Sequence, residues 1–230
     1  MKIPLSRRLE TACRFVKPGD RVADIGCDHG YLGIHLLKNG IASHVYACDI
    51  NEGPLNAAVF NAEKFGVRDK MQFFLSDGVK NVPRDFDCMV CCGMGGDTMI
   101  SILESAPWLR EGSYRLILQC QSKRPELRKY LGENGWWIRR ETVLKDGKFL
   151  YTVMEVVHMP GMELTAGGCH FPPALLADPS PEVPAFYRWV VGGLRMIVEN
   201  QGEAAHPFKV QALEELTNLP EELNWLKEET

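Results

Sequence analysis

The chain has 230 residues, 45% of them hydrophobic and 24% charged, with a formal net charge of −4. That balance is ordinary for a soluble globular protein, and the length suits one domain or one domain with a small appendage. No apolar run approaches the ~18 residues of a membrane helix, the start lacks a signal-peptide core, and the acidic total removes the simplest argument for nucleic-acid binding. A cytoplasmic protein is the expectation.

Leu5, Leu9, Ala12, Cys13 and Val16 recur at helical spacing, which predicts an amphipathic first helix ending at Lys17-Pro18-Gly19-Asp20. Residues 21–25 form a short apolar run closed by Gly26, the pattern of a buried strand and a tight turn, with a helix over 31–37. The next run, 44–48, ends at Asp49, and a helix over 52–65 is stopped by Gly66. Strands follow over 71–75 and 87–92, the second running into Gly93-Met94-Gly95-Gly96, and Asp97 is placed to cap a helix over 97–103. A strand over 114–119, a helix over 125–133, and two strands over 136–142 and 149–157 joined by Lys145-Asp146-Gly147-Lys148 complete the alternation. The pattern predicts an α/β fold with a doubly wound sheet whose last strand is antiparallel.

Residues 1–157 therefore form one domain. Gly and Pro crowd 158–184, including Pro172-Pro173 and Asp178-Pro179-Ser180-Pro181, and that stretch reads as a linker. Residues 185–230 read as a small helical domain, with helices over 185–200 and 208–216 packed as an antiparallel pair.

In an open α/β sheet, ligands bind outside the carboxyl ends of the strands. Gly26 and Gly30 let the backbone approach a ligand there. The loop lacks the second and third glycines of a dinucleotide fingerprint and carries Asp28, whose carboxylate would repel a pyrophosphate but not a sulfonium or an amino group. Asp49 can accept both hydroxyls of a ribose through hydrogen bonds of ~1.5–3 kcal/mol each. Together the two acids fit S-adenosylmethionine better than a nicotinamide cofactor; a cap for Asp28 and a turn for Asp49 are the plainer alternative. Asp77-Gly78 suits an adenine edge or a plain turn, and Gly93 to Gly96 imply either close approach by a ligand or a tight strand-to-helix turn. The amides of Gln119 and Gln121 end the fifth strand within reach of a substrate. Eight cysteines sit in helix and strand contexts, and the Cys88-x-x-Cys91 spacing has no second pair, so buried thiols and no metal are expected.

The segments Leu5-Ser6-Arg7-Arg8-Leu9, Asp24-Ile25-Gly26-Cys27-Asp28-His29-Gly30-Tyr31-Leu32, Asp49-Ile50-Asn51, Ser76-Asp77-Gly78, Gly93-Met94-Gly95-Gly96, Leu116-Ile117-Leu118-Gln119 and Asn134-Gly135-Trp136 occur in this order. Over residues 5–157 the chain resembles the TrmK family, bacterial S-adenosylmethionine-dependent tRNA methyltransferases acting on N1 of adenine 22. The resemblance implies a Rossmann-like methyltransferase domain and a C-terminal helical, coiled-coil-like domain that helps engage tRNA.

By position, it implies Asp24, Gly26, Asp28 and His29 around the methionine end of the cofactor, Asp49 at the ribose, Asp77 and Gly78 at the adenine, and Ile50 among the cofactor-binding residues. Gly93 and Met94 would border the cofactor, Gly95 and Gly96 the target base, and Arg8 the mouth of the site. Asp28 is the candidate to favour the cationic product, and His29 to orient the loop or relay a proton; no general base is assigned. Arg124 and Arg128 lead the candidate RNA-binding surface, with Arg7, Arg14, Lys123, Lys129, Arg139, Arg140, Lys145 and Lys148 around them. The chain departs from the family at Cys120, Gly30 and Gly33, and in a Glu-rich tail (Glu214, Glu215, Glu221, Glu222, Glu228 and Glu229). A monomer is expected. A small-molecule or protein methyltransferase, or a catalytically silent RNA-binding module, is the alternative.

Overall fold

Apolar runs long enough to be buried on both faces become the strands of a central sheet. In the computed structural model, which describes residues 2–227, α1 (Arg7–Cys13) leads into β1 (Arg21–Ile25), α2 (Tyr31–Lys38), β2 (His44–Asp49), α3 (Glu52–Lys64) and β3 (Met71–Leu75). Then come β4 (Cys88–Met94), α4 (Gly96–Glu104), β5 (Arg115–Cys120), α5 (Arg124–Glu133), β6 (Trp136–Asp146) and β7 (Phe149–His158). The sheet order is β3-β2-β1-β4-β5-β7-β6; the first five strands pair in parallel, and β7 is antiparallel to β5 and β6.

Alternation along each strand splits the core into two layers. Val22, Val45 and Val90 face α1, α2 and α3, packing with Ala12, Ile34 and Phe65. Ala23, Tyr46 and Met89 face the opposite side, with Met99, Leu103 and Leu127. The strand order reverses between β1 and β4, which opens a crevice at their carboxyl ends.

Three expectations change. Helix α4 begins at Gly96 with Gly95 as its N-cap, so Asp97 lies in the first turn and pairs with Lys123 instead of capping. Residues 158–184 are not a linker. They hold α6 (Ala166–His170) and a 3-10 turn, and bury Phe171 and Leu175. Asp178 accepts the Val143 backbone N–H and the Thr142 hydroxyl, both at 2.8 Å, and the Ser180 hydroxyl donates to the Val143 carbonyl at 2.7 Å. Pro and Gly interrupt helices here, but the apolar side chains between them still bury against β6.

The C-terminal part, α7 (Val183–Gln201) and α8 (Pro207–Thr217), shares a third core with Val143 of β6. It is built onto the edge of the sheet; Glu228 and Glu229 lie outside the described residues.

The third change concerns Arg128. Its side chain and that of Glu141 are each 0% exposed and pair at 2.6 Å, and Arg128 also donates to the carbonyls of Cys169 and His170 at 3.0 and 3.3 Å. It ties α5, β6 and α6 together and does not reach an RNA surface. A buried arginine needs such an ion pair because an unpaired buried charge is strongly unfavourable, although Arg128 Nε and Glu141 Oε2 are left without partners.

Candidate functional site

The crevice between β1 and β4 deepens into a cavity of about 470 Å³. Asp24, Gly26, Asp28 and His29 border it from β1 and its loop, Asp49 and Ile50 from β2, Asp77 and Gly78 from beyond β3, and Gly93 and Met94 from β4. Arg8 of α1 closes one side. The residues predicted at separate strand ends are thus brought together around one space.

Local chemistry shapes each wall. Gly26 has φ +71°, a backbone conformation that L side chains rarely adopt, and the flexible Met94 methyl fills the position a Cβ would take. Asp28 has φ +49°, a left-handed conformation that aspartate tolerates better than most residues. Its backbone N–H donates to Asp49 Oδ2 at 3.1 Å, and the Asn51 N–H donates to Asp49 Oδ1 at 3.0 Å. The Asp28 and His29 side chains face each other at 3.7 Å and are exposed. The Ser76 hydroxyl donates to the Gly78 carbonyl at 2.9 Å and accepts the Asn81 N–H at 3.0 Å, which fixes the loop after β3.

Asp24 is the electrostatic anomaly. Burial pushes its carboxyl up to about 7, with Asp49 adding to the rise, and its Oδ2 is buried without a hydrogen-bond partner. Across the same cavity Arg8 carries a buried Nε that also lacks a partner. Both residues line the one cavity, so an acid and a base with spare hydrogen-bonding capacity flank it, which suits a ligand carrying both an ammonium and a carboxylate. The methionine end of S-adenosylmethionine is such a group, so these residues fit that cofactor.

Other expected residues lie elsewhere. Gly96 is buried against the backbone of Ser122 and Lys123, with its N–H donating to the Ser122 carbonyl at 2.9 Å, so its smallness serves packing of α4 on the loop after β5. Gly95 meets the Ser122 hydroxyl and does not border the cavity. Gln119 is buried and accepts from the Gln121 amide at 3.2 Å. Arg124 lies over the rings of Phe186 and Trp189. Cys92 and Thr98 border the cavity and escaped the sequence reasoning. Cys92 looked like strand interior, although its place beside Gly93 at the strand end was the available signal.

Among the described residues, no group of three or more His, Cys, Asp or Glu is arranged to hold a metal ion, and no helix is long and apolar enough to cross a membrane.

Comparison with known proteins matches the fold. The family described as a methyltransferase domain covers residues 5–154. The tRNA (adenine(22)-N(1))-methyltransferase of Bacillus subtilis is 30% identical over 154 residues, spanning 66% of this chain and 65% of that protein. The crystal structure of the B. subtilis m1A22 tRNA methyltransferase TrmK aligns at 26% identity with a TM-score of 0.78, covering 98% of each chain. Streptococcus pneumoniae Sp1610 in complex with S-adenosyl-L-methionine aligns at 30% identity with a TM-score of 0.81, covering 92% of this chain and 99% of that one.

Proposed function

Because the chain belongs to the methyltransferase-domain family, and within it to the TrmK family, we propose that it methylates N1 of adenine 22 in tRNA with S-adenosylmethionine. The observation that carries the cofactor assignment is the single cavity at the strand ends that Arg8, Asp24, Asp28 and Asp49 line together. When bound, the cofactor supplies an electrophilic methyl group on a cationic sulfur.

The chain's residues do the rest by binding and alignment. Asp24 meets the ammonium and Arg8 the carboxylate of the methionine end. Asp49 uses two of its roughly four lone-pair sites on backbone N–H groups, leaving the others for ribose hydroxyls. Ile50 is 63% exposed at the cavity wall, an apolar face for the adenine, with Asp77 and Gly78 at its polar edge.

Adenine N1 carries a free lone pair, so transfer needs alignment of N1 with the methyl carbon rather than a covalent intermediate, and positioning contributes ~7–11 kcal/mol. The target base leaves its stack to reach the cavity, at a cost of a few kcal/mol. Methylation makes the ring cationic, and the exposed Asp28 carboxylate favours that charge. His29, 3.7 Å from it, orients the loop.

The same reading makes the protein a cytoplasmic monomer, with tRNA as its macromolecular substrate. The test is transfer of labelled methyl to tRNA transcripts carrying A or G at position 22. Incorporation with A and none with G supports the proposal; equal incorporation into both refutes the assigned nucleotide.

A further inference from the structure

A second cavity, of about 360 Å³, opens where the β6–β7 hairpin meets α7, and Gln121, Arg124, Lys148, Phe149, Tyr151 and Trp189 line it. Phe149 and Trp189 are each 56% exposed, although a hairpin tip and an outer helix face are ordinarily polar. The cations sit against these rings: the Arg124 guanidinium is 5.0 Å from the Trp189 centroid, and Lys148 Nζ is 5.3 Å from that of Phe149. No carboxylate is among the lining residues.

This cavity abuts the cofactor cavity. The Arg8 guanidinium, on the wall of the first, lies 5.8 Å from the Tyr151 ring of the second. The Gln121 N–H donates to the Met94 carbonyl at 2.8 Å, joining the two rims.

Exposed aromatic rings flanked by cations are what an unpaired nucleotide binds: the base stacks on the rings and the phosphate meets the charges. We propose that this cavity is a stacking subsite for an unpaired tRNA nucleotide beside the target adenine, with Phe149 and Trp189 as the platform and Arg124 and Lys148 as its phosphate contacts. The inference rests on the tRNA reading above and adds where the strand is gripped. A protein partner would also use the aromatic rings, but the two cations and the adjacency to a nucleoside-sized cavity favour RNA.

The test compares Phe149→Ala and Trp189→Ala with Phe149→Tyr and Trp189→Phe, measuring methyl-transfer kinetics with tRNA and titration calorimetry with S-adenosylmethionine. The expected result is a KM for tRNA raised about ten-fold by each alanine, as loss of one stacked base implies. Turnover and cofactor affinity should stay constant, and the aromatic variants should be restored to wild type. An unchanged KM in the alanine variants, with the wild type methylating tRNA, overturns the subsite and leaves the enzyme assignment standing. A parallel loss of turnover and cofactor affinity that aromatic replacement does not rescue assigns the rings a structural role and also overturns it. Absence of both tRNA binding and tRNA methylation in the wild type overturns the tRNA reading itself.

Discussion

The backbone N–H of Asp28 donates to Asp49 Oδ2 at 3.1 Å, so the loop after β1 and the end of β2 form one hydrogen-bonded unit. Asp49 thereby serves two purposes: it holds Asp28 in its left-handed conformation and keeps acceptor capacity for a ligand.

Asp49→Ala should weaken binding of S-adenosylmethionine by ~2–4 kcal/mol, through loss of charge-assisted hydrogen bonds to the ribose. Calorimetry reads this directly. A dissociation constant equal to that of the wild type would remove Asp49 from the site.

Asp24 should give the protein a pH signature. Its carboxyl is raised from 3.8 to about 7 by burial, so between these values the folded state holds a proton that the unfolded chain has released. Its contribution to stability is full below the unfolded value and is lost as pH rises through about 7. Asp24→Asn should flatten that portion of the stability profile in thermal melts across the range. An ammonium brought beside Asp24 favours its ionised form, so cofactor binding at about pH 6 should release a proton from the wild type and not from Asp24→Asn. Calorimetry in buffers of different ionisation enthalpy measures the difference.

Arg128 should act on stability. Arg128→Met strands Glu141 in the interior and should cost ~3–5 kcal/mol in denaturant unfolding, and pairing it with Glu141→Leu should recover most of the loss. The RNA-facing charge then falls to exposed residues such as Arg7 and Arg14, which share a shallow cavity beside residues 178–182. Reversing either to Glu should lower the salt slope of tRNA binding by roughly one unit while cofactor affinity is unchanged.

Much of this architecture was legible because its signals are local. Apolar runs closed by Gly26, Asp49 or Gly93 mark strand ends, and the parallel-sheet rule places those ends around one crevice. What was not legible depends on contacts distant in sequence. Arg128 looked like surface charge, although its place on the stripe of Arg124 and Leu131 (i−4 and i+3) hinted that it faces inward. Residues 158–184 looked like a linker because Pro and Gly set backbone conformation without revealing that Phe171 and Leu175 find a core on β6. Gly96 looked like a ligand-facing glycine, but its neighbour is the backbone of Lys123, which sequence spacing does not report. The platform of Phe149 and Trp189 joins a hairpin tip to a helix some forty positions away, about which periodicity is silent.

The most direct test of the central claim is mass spectrometry of nucleosides and nuclease fragments from tRNA treated with the protein and S-adenosylmethionine. The account predicts 1-methyladenosine in the fragment containing adenine 22 and in no other. Methylation at a different atom or nucleotide, or none with the cofactor demonstrably bound, would contradict it.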